Sequence, residues 1–174
     1  MTVTIPNPPG IDAAGKGAVY WVPALADPSA PTVAEIAAGV VLSCALDTWP
    51  TTVDQSTTSK SKYCDAQPRQ RLGKPQYSAG PIVYDYDPQG ADTSGNYGYY
   101  DDLTPGLDGF FIDRRGIESK AAVATGQKVD VWPARLGARG RVDIDPTNTD
   151  GESLRTQQSV SVTGEVLFDV EIAA

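Results

Sequence analysis

The sequence contains no histidine, and this absence narrows the chemistry available to the chain. Histidine is the side chain whose ordinary pKa lies nearest to neutral pH, and it is the usual base of serine and cysteine hydrolases. The two cysteines, Cys44 and Cys64, therefore have no such base, and their spacing matches no metal site. One disulfide is geometrically allowed, but for a reducing compartment we predict two separate buried thiols.

Paired carboxylates are the remaining candidates for catalysis. A glycosidase needs two carboxylates that face each other across a sugar groove. Asp101 and Asp102 are adjacent, and Asp143 and Asp145 alternate, which is typical of solvated acids. We therefore predict that the chain is not an enzyme and that it needs no cofactor.

Two segments match ligand-binding motifs in part and fail at a decisive position. Residues 10–17 read GIDAAGKG, but Gly17 stands where a phosphate-binding loop needs Ser or Thr, and a Pro-rich segment precedes the motif. Asp85 and Asp87 match the start of a calcium loop, whose twelfth position here holds Asn96 instead of glutamate. A polar turn is our default interpretation of that segment, with a weak structural ion as the alternative.

Long apolar runs are also missing. No stretch approaches the ~20 apolar residues of a membrane-spanning helix, and the N-terminus lacks the basic start and apolar run of a signal peptide. We therefore expect the protein to be made in a cytoplasm. Glycine and proline are plentiful instead, at 17 and 14 of 174 residues, which favours turns and extended segments over long helices.

The net charge of −8 is unevenly distributed along the chain. Residues 1–50, 51–80, 81–113, 114–141 and 142–174 carry −3, +3, −7, +5 and −6. This alternation indicates either ordinary solvated loops or complementary surfaces through which copies of the chain attract one another. The overall acidity argues against a nucleic-acid binder, which needs a large basic surface.

Alternation of apolar and polar residues predicts most of the remaining structure. Strands are predicted for the segments GAVYWVPAL, VVLSCALDTW, PIVYDYD, DGFFIDRRG, QKVDVWPARL and GRVDID. Thr32 and Glu35 predict a capping box for a short helix at residues 33–38, and Gly39 predicts a left-handed stop. The segment YYDDLTPG predicts one helical turn.

Residues 50–80 lack clear periodicity and are rich in Ser, Thr, Lys and Arg. Such a long aperiodic segment within a compact domain is usually functional or is folded against a partner. We predict a long hairpin that projects from the body and is covered by a neighbouring subunit.

The C-terminal segment alternates over fifteen residues, from Gln158 to Ile172, whereas an ordinary strand has about five or six. We predict a bend or bulge at Gly164. The predicted core-facing residues are Val160, Val162, Val166, Phe168 and Val170. The predicted water-facing residues are Ser161, Thr163, Glu165 and Asp169.

These elements predict a mainly β fold, an antiparallel β-sandwich or barrel with one or two short helices and a long projecting hairpin loop. The predicted organisation is an extended N-terminal arm at residues 1–17 and a single β domain at residues 18–174, from which residues 53–80 project.

The order of these features resembles the major tail protein of long-tailed, non-contractile bacteriophages, especially those of actinobacteria, whose subunits stack as rings into a tail tube. The resemblance covers residues 18–173. It is carried by WVPAL, by PTVAEIAAG, by the polar hairpin and above all by FFIDRRG followed by TGQKVDVWPARLG. It implies a two-sheet sandwich flanked by a helix, six copies to a ring, and inner strands that line an acidic channel along which DNA slides.

The same resemblance implies location in the virion tail and a set of partners. These are further copies of the chain, the tape measure, tail terminator and distal tail proteins, and double-stranded DNA that passes without specific binding. The long loop is expected to reach the adjacent ring. Candidate interface residues are Asp54, Lys60, Lys62, Tyr63, Arg69, Arg71, Lys74, Arg114 and Arg115. Candidate channel-facing residues are Ser161, Thr163, Glu165 and Asp169.

The alternative function is a sandwich-type binding module, either a carbohydrate-binding or a virion decoration domain. It would use the aromatic residues at 97–100 or the Asp85/Asp87 loop. Aromatic residues of β-rich chains, including Phe110 and Phe111 here, are more often core or subunit-contact residues.

Overall fold

The computed structural model describes residues 10, 12–87, 89, 99–143, 147 and 153–174, and these form ten strands and two short helices. The strands are β1 (Gly17–Val22), β2 (Val40–Val41), β3 (Leu46–Thr48), β4 (Thr51–Lys60), β5 (Arg69–Ala79), β6 (Ile82–Asp85), β7 (Asp108–Arg115), β8 (Lys128–Arg141), β9 (Arg155–Val162) and β10 (Leu167–Glu171). The helices are α1 (Val33–Ala37) and α2 (Tyr99–Asp102). The prediction of a mainly β fold is confirmed.

Eight strands form one curled antiparallel sheet that resembles half of a barrel. Its order is β2-β1-β7-β8-β9-β6-β3, and β10 also pairs with β8. The 14-residue β8 is the central strand of this sheet. It pairs with β7 on one side, and on the other side its two halves pair with β9 and β10. Strands β4 and β5 form a separate two-stranded sheet.

The two faces of the curled sheet carry two apolar clusters. Trp21, Phe111 and Trp132 belong to one cluster, whereas Tyr20 and Ile112 belong to the other. Consecutive residues of β1 and β7 thus fall on opposite sides, as the alternation of side chains along a strand requires. The central strands are therefore buried on both faces, and α1 covers the second cluster with Ile36.

The predicted capping box at the start of α1 is confirmed. The backbone N–H of Glu35 donates to Oγ1 of Thr32 at 3.2 Å, and the backbone N–H of Thr32 donates to Oε2 of Glu35 at 2.8 Å. The predicted left-handed stop at Gly39 is wrong, because the φ of Gly39 is not positive. Glycine is needed there for close approach: a Cβ would lie 2.6 Å from the carbonyl oxygen of Trp21.

Two predicted strands have different boundaries. The segment VVLSCALDTW divides into β2 and β3, since the backbone N–H groups of Ala45 and Leu46 both donate to the carbonyl of Leu42 at 2.9 Å and close a turn. The first two residues of GRVDID, Gly140 and Arg141, are the end of β8, and the last two lie outside the described residues. The two thiols are separate, as predicted, but the prediction that they are buried is wrong: Cys44 and Cys64 are both exposed.

The predicted long C-terminal strand is divided, with Gly164 in the break between β9 and β10. A Cβ on Gly164 would lie 3.2 Å from Cβ of Pro133, so β8 approaches the break closely. A second irregularity follows at Asp169, whose φ is 53°. It shifts the alternation, so that Leu167 and Val170, three residues apart, both pack on the second cluster. Phe168 precedes the shift and stays on the side of Trp132, where it is 47 % exposed. The predicted core position of Phe168 is therefore wrong.

Candidate assembly surfaces

The hairpin formed by β4 and β5 is the main surface that the rest of the chain leaves uncovered. Its register runs from Thr51 opposite Ala79 to Lys60 opposite Arg69, and nearly every residue along it is exposed. At ~3.3 Å per residue, the ten residues of β4 extend about 33 Å. Neither outer edge pairs with another strand of the described chain. Because an isolated two-stranded hairpin is marginally stable in water, this arm gains little stability from its own two strands.

The root of the hairpin is fixed to the body by specific contacts. The backbone N–H of Gly80 donates to the carbonyl of Pro50 at 2.8 Å. The hydroxyl groups of Thr52 and Ser78 form a hydrogen bond with an oxygen–oxygen distance of 2.8 Å. The ring of Tyr77 lies 6.1 Å from that of Trp132 and 5.4 Å from that of Phe168. The direction of the arm is therefore set by the core.

The register divides the hairpin into an apolar and a polar face, because residues opposite each other in an antiparallel pair point to the same side. The apolar face is formed by Val53, Leu72, Pro75 and Tyr77. Val53 is 61 % and Leu72 is 71 % exposed, so this face extends outward beyond the contact made by Tyr77. Exposed apolar residues on an unpaired arm indicate a surface that is buried in an assembly.

The polar face and the turn carry the predicted interface residues of the loop. Asp54, Lys60, Lys62, Tyr63, Arg69, Arg71 and Lys74 are all exposed. Asp65 forms an ion pair with Arg69 at 3.1 Å and accepts from the backbone N–H of Lys62 at 2.9 Å. Lys60, Lys62 and Arg71 form no ion pair with any described residue. These three residues make the hairpin tip cationic.

Arg114 is not available to a second subunit, and its predicted interface role is wrong. Its side chain is fully buried, and the guanidinium donates four hydrogen bonds. They go to the carbonyl oxygens of Glu118, Ala121 and Ala122 and to Oε1 of Gln127, at 2.8 to 3.2 Å. Arg114 thus organises the loop that follows β7. The neighbouring Arg115 is exposed and donates from Nε and Nη2 to Oδ2 of Asp113.

A cavity of about 140 Å³ lies beside the hairpin root, and we call it the root groove. Its lining includes Val53, Tyr77, Arg115, Asp130, Trp132 and Phe168. Oδ1 of Asp130 accepts from the backbone N–H of Asp169 at 3.0 Å. Burial, with a smaller effect from the charges of Asp113 and Asp169, raises the pKa of Asp130.

The predicted channel-facing residues surround the break between β9 and β10. Ser161, Thr163, Glu165 and Asp169 are all exposed. Ser161, Thr163 and Glu165 are spaced two residues apart, whereas the positive φ at Asp169 interrupts this spacing along β10. Their exposure is a property of the isolated chain, and the channel role stays a prediction.

The motifs that matched ligand sites in part form no such site among the described residues. Gly17 leads into a strand and not into the helix that a phosphate-binding loop requires. Asp85 ends β6. Gly90, Asn96, Tyr97 and Asp145, as well as the side chain of Tyr99, lie outside the described residues. In the part of the chain that the structure describes, no three His, Cys, Asp or Glu residues are placed to hold a metal ion.

One structural cluster could not be found from the sequence. The guanidinium of Arg139 lies 3.9 Å from the ring centre of Tyr100, and that of Arg141 lies 4.2 Å from the ring centre of Tyr86. The two tyrosine rings stack at 5.7 Å. These contacts attach α2 to the end of β8. The sequence marked the arginines only as local positive charge.

The described residues form a curled sheet with an anchored hairpin whose apolar face is exposed. The chain belongs to the phage tail tube protein family, whose sequence profile matches residues 5–174. It is therefore a structural component of a phage tail, as the resemblance predicted. This finding favours the tail interpretation over the binding-module alternative.

Among solved structures, a chain from "Cryo-EM structure of the anti-feeding prophage (AFP) baseplate, 6-fold symmetrised" is similar to this one, with a TM-score of 0.48 and 8 % identity. The likeness covers 93 % of this chain and 97 % of that chain. No curated protein matches the sequence. Along the described residues, no helix is long and apolar enough to cross a membrane.

Proposed function

We propose that this protein is the subunit of a phage tail tube, which assembles into stacked rings of six copies and forms the conduit through which the genome enters the host. Membership in the tail tube family supports this proposal. The single structural observation that carries it is the hairpin, which is anchored at its root and exposed along its length.

The physical reason for this proposal is that an uncovered arm exposes strand edges and apolar side chains to water. Unpaired strand edges and exposed Val53 and Leu72 promote uncontrolled association unless a defined neighbour covers them. If the hairpin of one subunit contacts a different surface of the next subunit, the contact does not close on itself and the copies form a continuing stack. Residues 53–80 would then connect adjacent rings, as the resemblance implies.

The channel is assigned to the region of the β9–β10 break. We place Ser161, Thr163, Glu165 and Asp169 on its wall, where hydroxyl and carboxylate groups would let DNA pass without binding. The net charge of −8 supports this assignment, since like charges repel the polyanion.

The remaining assignments complete the proposal. Residues 18–174 act as one β domain. Most of the predicted arm at residues 1–17 lies outside the described residues, and its last residue, Gly17, begins β1. The protein is made in the host cytoplasm and contributes to the virion tail without enzymatic activity. Its partners besides itself are the tape measure, tail terminator and distal tail proteins.

A shortened hairpin tests the proposal. Residues 54–76 are replaced by Asn-Gly, which closes a tight turn and retains Val53, Tyr77 and the bond between Thr52 and Ser78. We expect cooperative thermal unfolding like that of the parent chain, since the curled sheet is retained, but no tubes by negative-stain microscopy.

The surface variant Lys120→Ala, in the loop after β7, serves as the control and should form tubes like the parent chain. Normal tubes from the shortened variant would show that the hairpin does not connect rings.

A further inference from the structure

The root groove combines aromatic walls with an uncompensated negative charge. The rings of Trp132 and Phe168 are perpendicular at 5.9 Å, and Tyr77 packs on both of them. Phe168 remains 47 % exposed although it is large and apolar. The isolated chain therefore leaves an aromatic surface open to solvent beside a carboxylate.

The charges around Asp130 do not balance. Asp113 lies directly opposite Asp130 across β7 and β8, and Asp169 contacts Asp130 through its backbone. Arg115 is the one cation in the lining of the groove, and it already donates two hydrogen bonds to Asp113. Asp130 forms no ion pair with any described residue. A further cation would stabilise this groove.

Such a groove suits the ammonium group of lysine or the guanidinium group of arginine. A carboxylate provides a charge-assisted hydrogen bond, and aromatic rings attract cations through their faces. Lys60, Lys62 and Arg71 of the hairpin tip have the complementary charge. They lie in the outer part of the same arm, roughly 23 Å or more from its root, so the tip of one chain is far from its own groove.

We propose that the root groove receives the cationic hairpin tip of a second copy of this chain, with Lys60, Lys62 or Arg71 placed on Asp130 between the aromatic walls. This inference rests on the proposed function and adds the acceptor to it. The donor and the acceptor are different surfaces of one chain, so the contact repeats head to tail.

Cross-linking within assembled tubes tests the contact. A full-length chain with Cys44→Ser and Val53→Cys keeps Cys64 at the tip and gains a thiol at the groove. Tubes are treated with a short bis-maleimide, and the linked peptides are identified by mass spectrometry. We expect an intermolecular link between Cys64 and position 53. The control, Cys44→Ser with Leu107→Cys, places a thiol of similar exposure at the opposite end of β7 and should link several-fold less.

The second measurement needs no added thiol. Asp130→Asn keeps the size of the side chain and an acceptor for the N–H of Asp169, and we expect it to reduce tube formation several-fold. Asp101→Asn, an exposed acid on α2, should have no effect. Tubes that link no better than the control, or Asp130→Asn tubes that form normally, would overturn the inference while leaving the proposed function intact. A parent chain that forms no tubes would overturn both.

Discussion

Arg114 and Arg115 occupy consecutive positions on β7 and have opposite environments. Arg114 is fully buried in the loop that follows the strand, whereas Arg115 is exposed beside the root groove. Alternation along the strand predicts that the two side chains diverge, but it does not say which one is covered. That depends on how residues 116–127 fold back, which sequence periodicity does not reveal.

Arg114→Met is expected to destabilise the fold strongly. Methionine has a similar length but removes the four hydrogen bonds that the guanidinium donates. The carbonyl of Ala121 loses its donor, whereas the carbonyls of Glu118 and Ala122 keep the backbone N–H of Ala121 and Nε2 of Gln127. We expect a loss of about 2–3 kcal/mol in the free energy of unfolding, measured by urea denaturation, because hydrogen bonds of a buried charged group are lost.

Arg135→Met is the matched control, since Arg135 forms only an exposed pair with Asp108 at 3.8 Å. Its expected cost is below about 1 kcal/mol. Equal losses in the two variants would mean that Arg114 does not hold the loop.

Asp130→Asn is expected to stabilise the isolated chain at neutral pH. Burial raises the pKa of Asp130 in the folded state, so at pH values above that pKa the ionised carboxylate lowers the stability of the folded chain. The cost diminishes as the pH falls through the folded pKa, and it disappears below the ordinary aspartate pKa of about 3.9. Because the carboxylate is partly solvated, we expect a gain below about 1 kcal/mol.

Thermal unfolding at neutral pH and at about pH 3.5 checks this expectation. The variant should be more stable than the parent at neutral pH and equal to it in acid. Lower stability of the variant at neutral pH would contradict the assignment of Asp130 as a destabilised carboxylate in the monomer.

At the scale of elements, the sequence predicted what depends on local chemistry. The capping box of α1, the strands of the two clusters and the bend at Gly164 follow from neighbouring residues alone. The division of β2 from β3 depends on a turn around Leu42, whose backbone N–H donates to the carbonyl of Val19 at 2.8 Å, and that contact is remote in sequence. The positive φ of Asp169 likewise has no signal in the pattern, so alternation predicts Val170 on the side of Val166, whereas Val170 packs on the second cluster.

Gly39→Ala tests the close approach of α1 to β1. The added Cβ would lie 2.6 Å from the carbonyl oxygen of Trp21 and 2.8 Å from Cγ2 of Val22, so the helix has to move. We expect a loss of about 1–3 kcal/mol, measured by thermal or urea unfolding.

Gly140→Ala provides the comparison, because no atom lies within 4 Å of the corresponding Cβ position in β8. A change within about 0.5 kcal/mol is expected there. A Gly39→Ala variant as stable as the Gly140→Ala variant would show that the contact at Gly39 is loose.

At the scale of the whole molecule, the hairpin accounts for one of the charged blocks of the chain. Residues 51–80 carry +3 and form the arm, whereas Asp130 of the groove lies within residues 114–141, which carry +5, so the block charges do not mark the groove. The sequence predicted the arm and the cationic residues on it. It could not predict the groove, since Tyr77, Asp130 and Phe168 come together only when the sheet curls.

Electron microscopy of the purified full-length chain, alone and with the other tail proteins, tests the central claim most directly. We predict tubes of stacked six-membered rings, with the hairpin at residues 53–80 connecting one ring to the next and residues 161–165 facing the channel. A chain that remains monomeric at high concentration under all these conditions would contradict it.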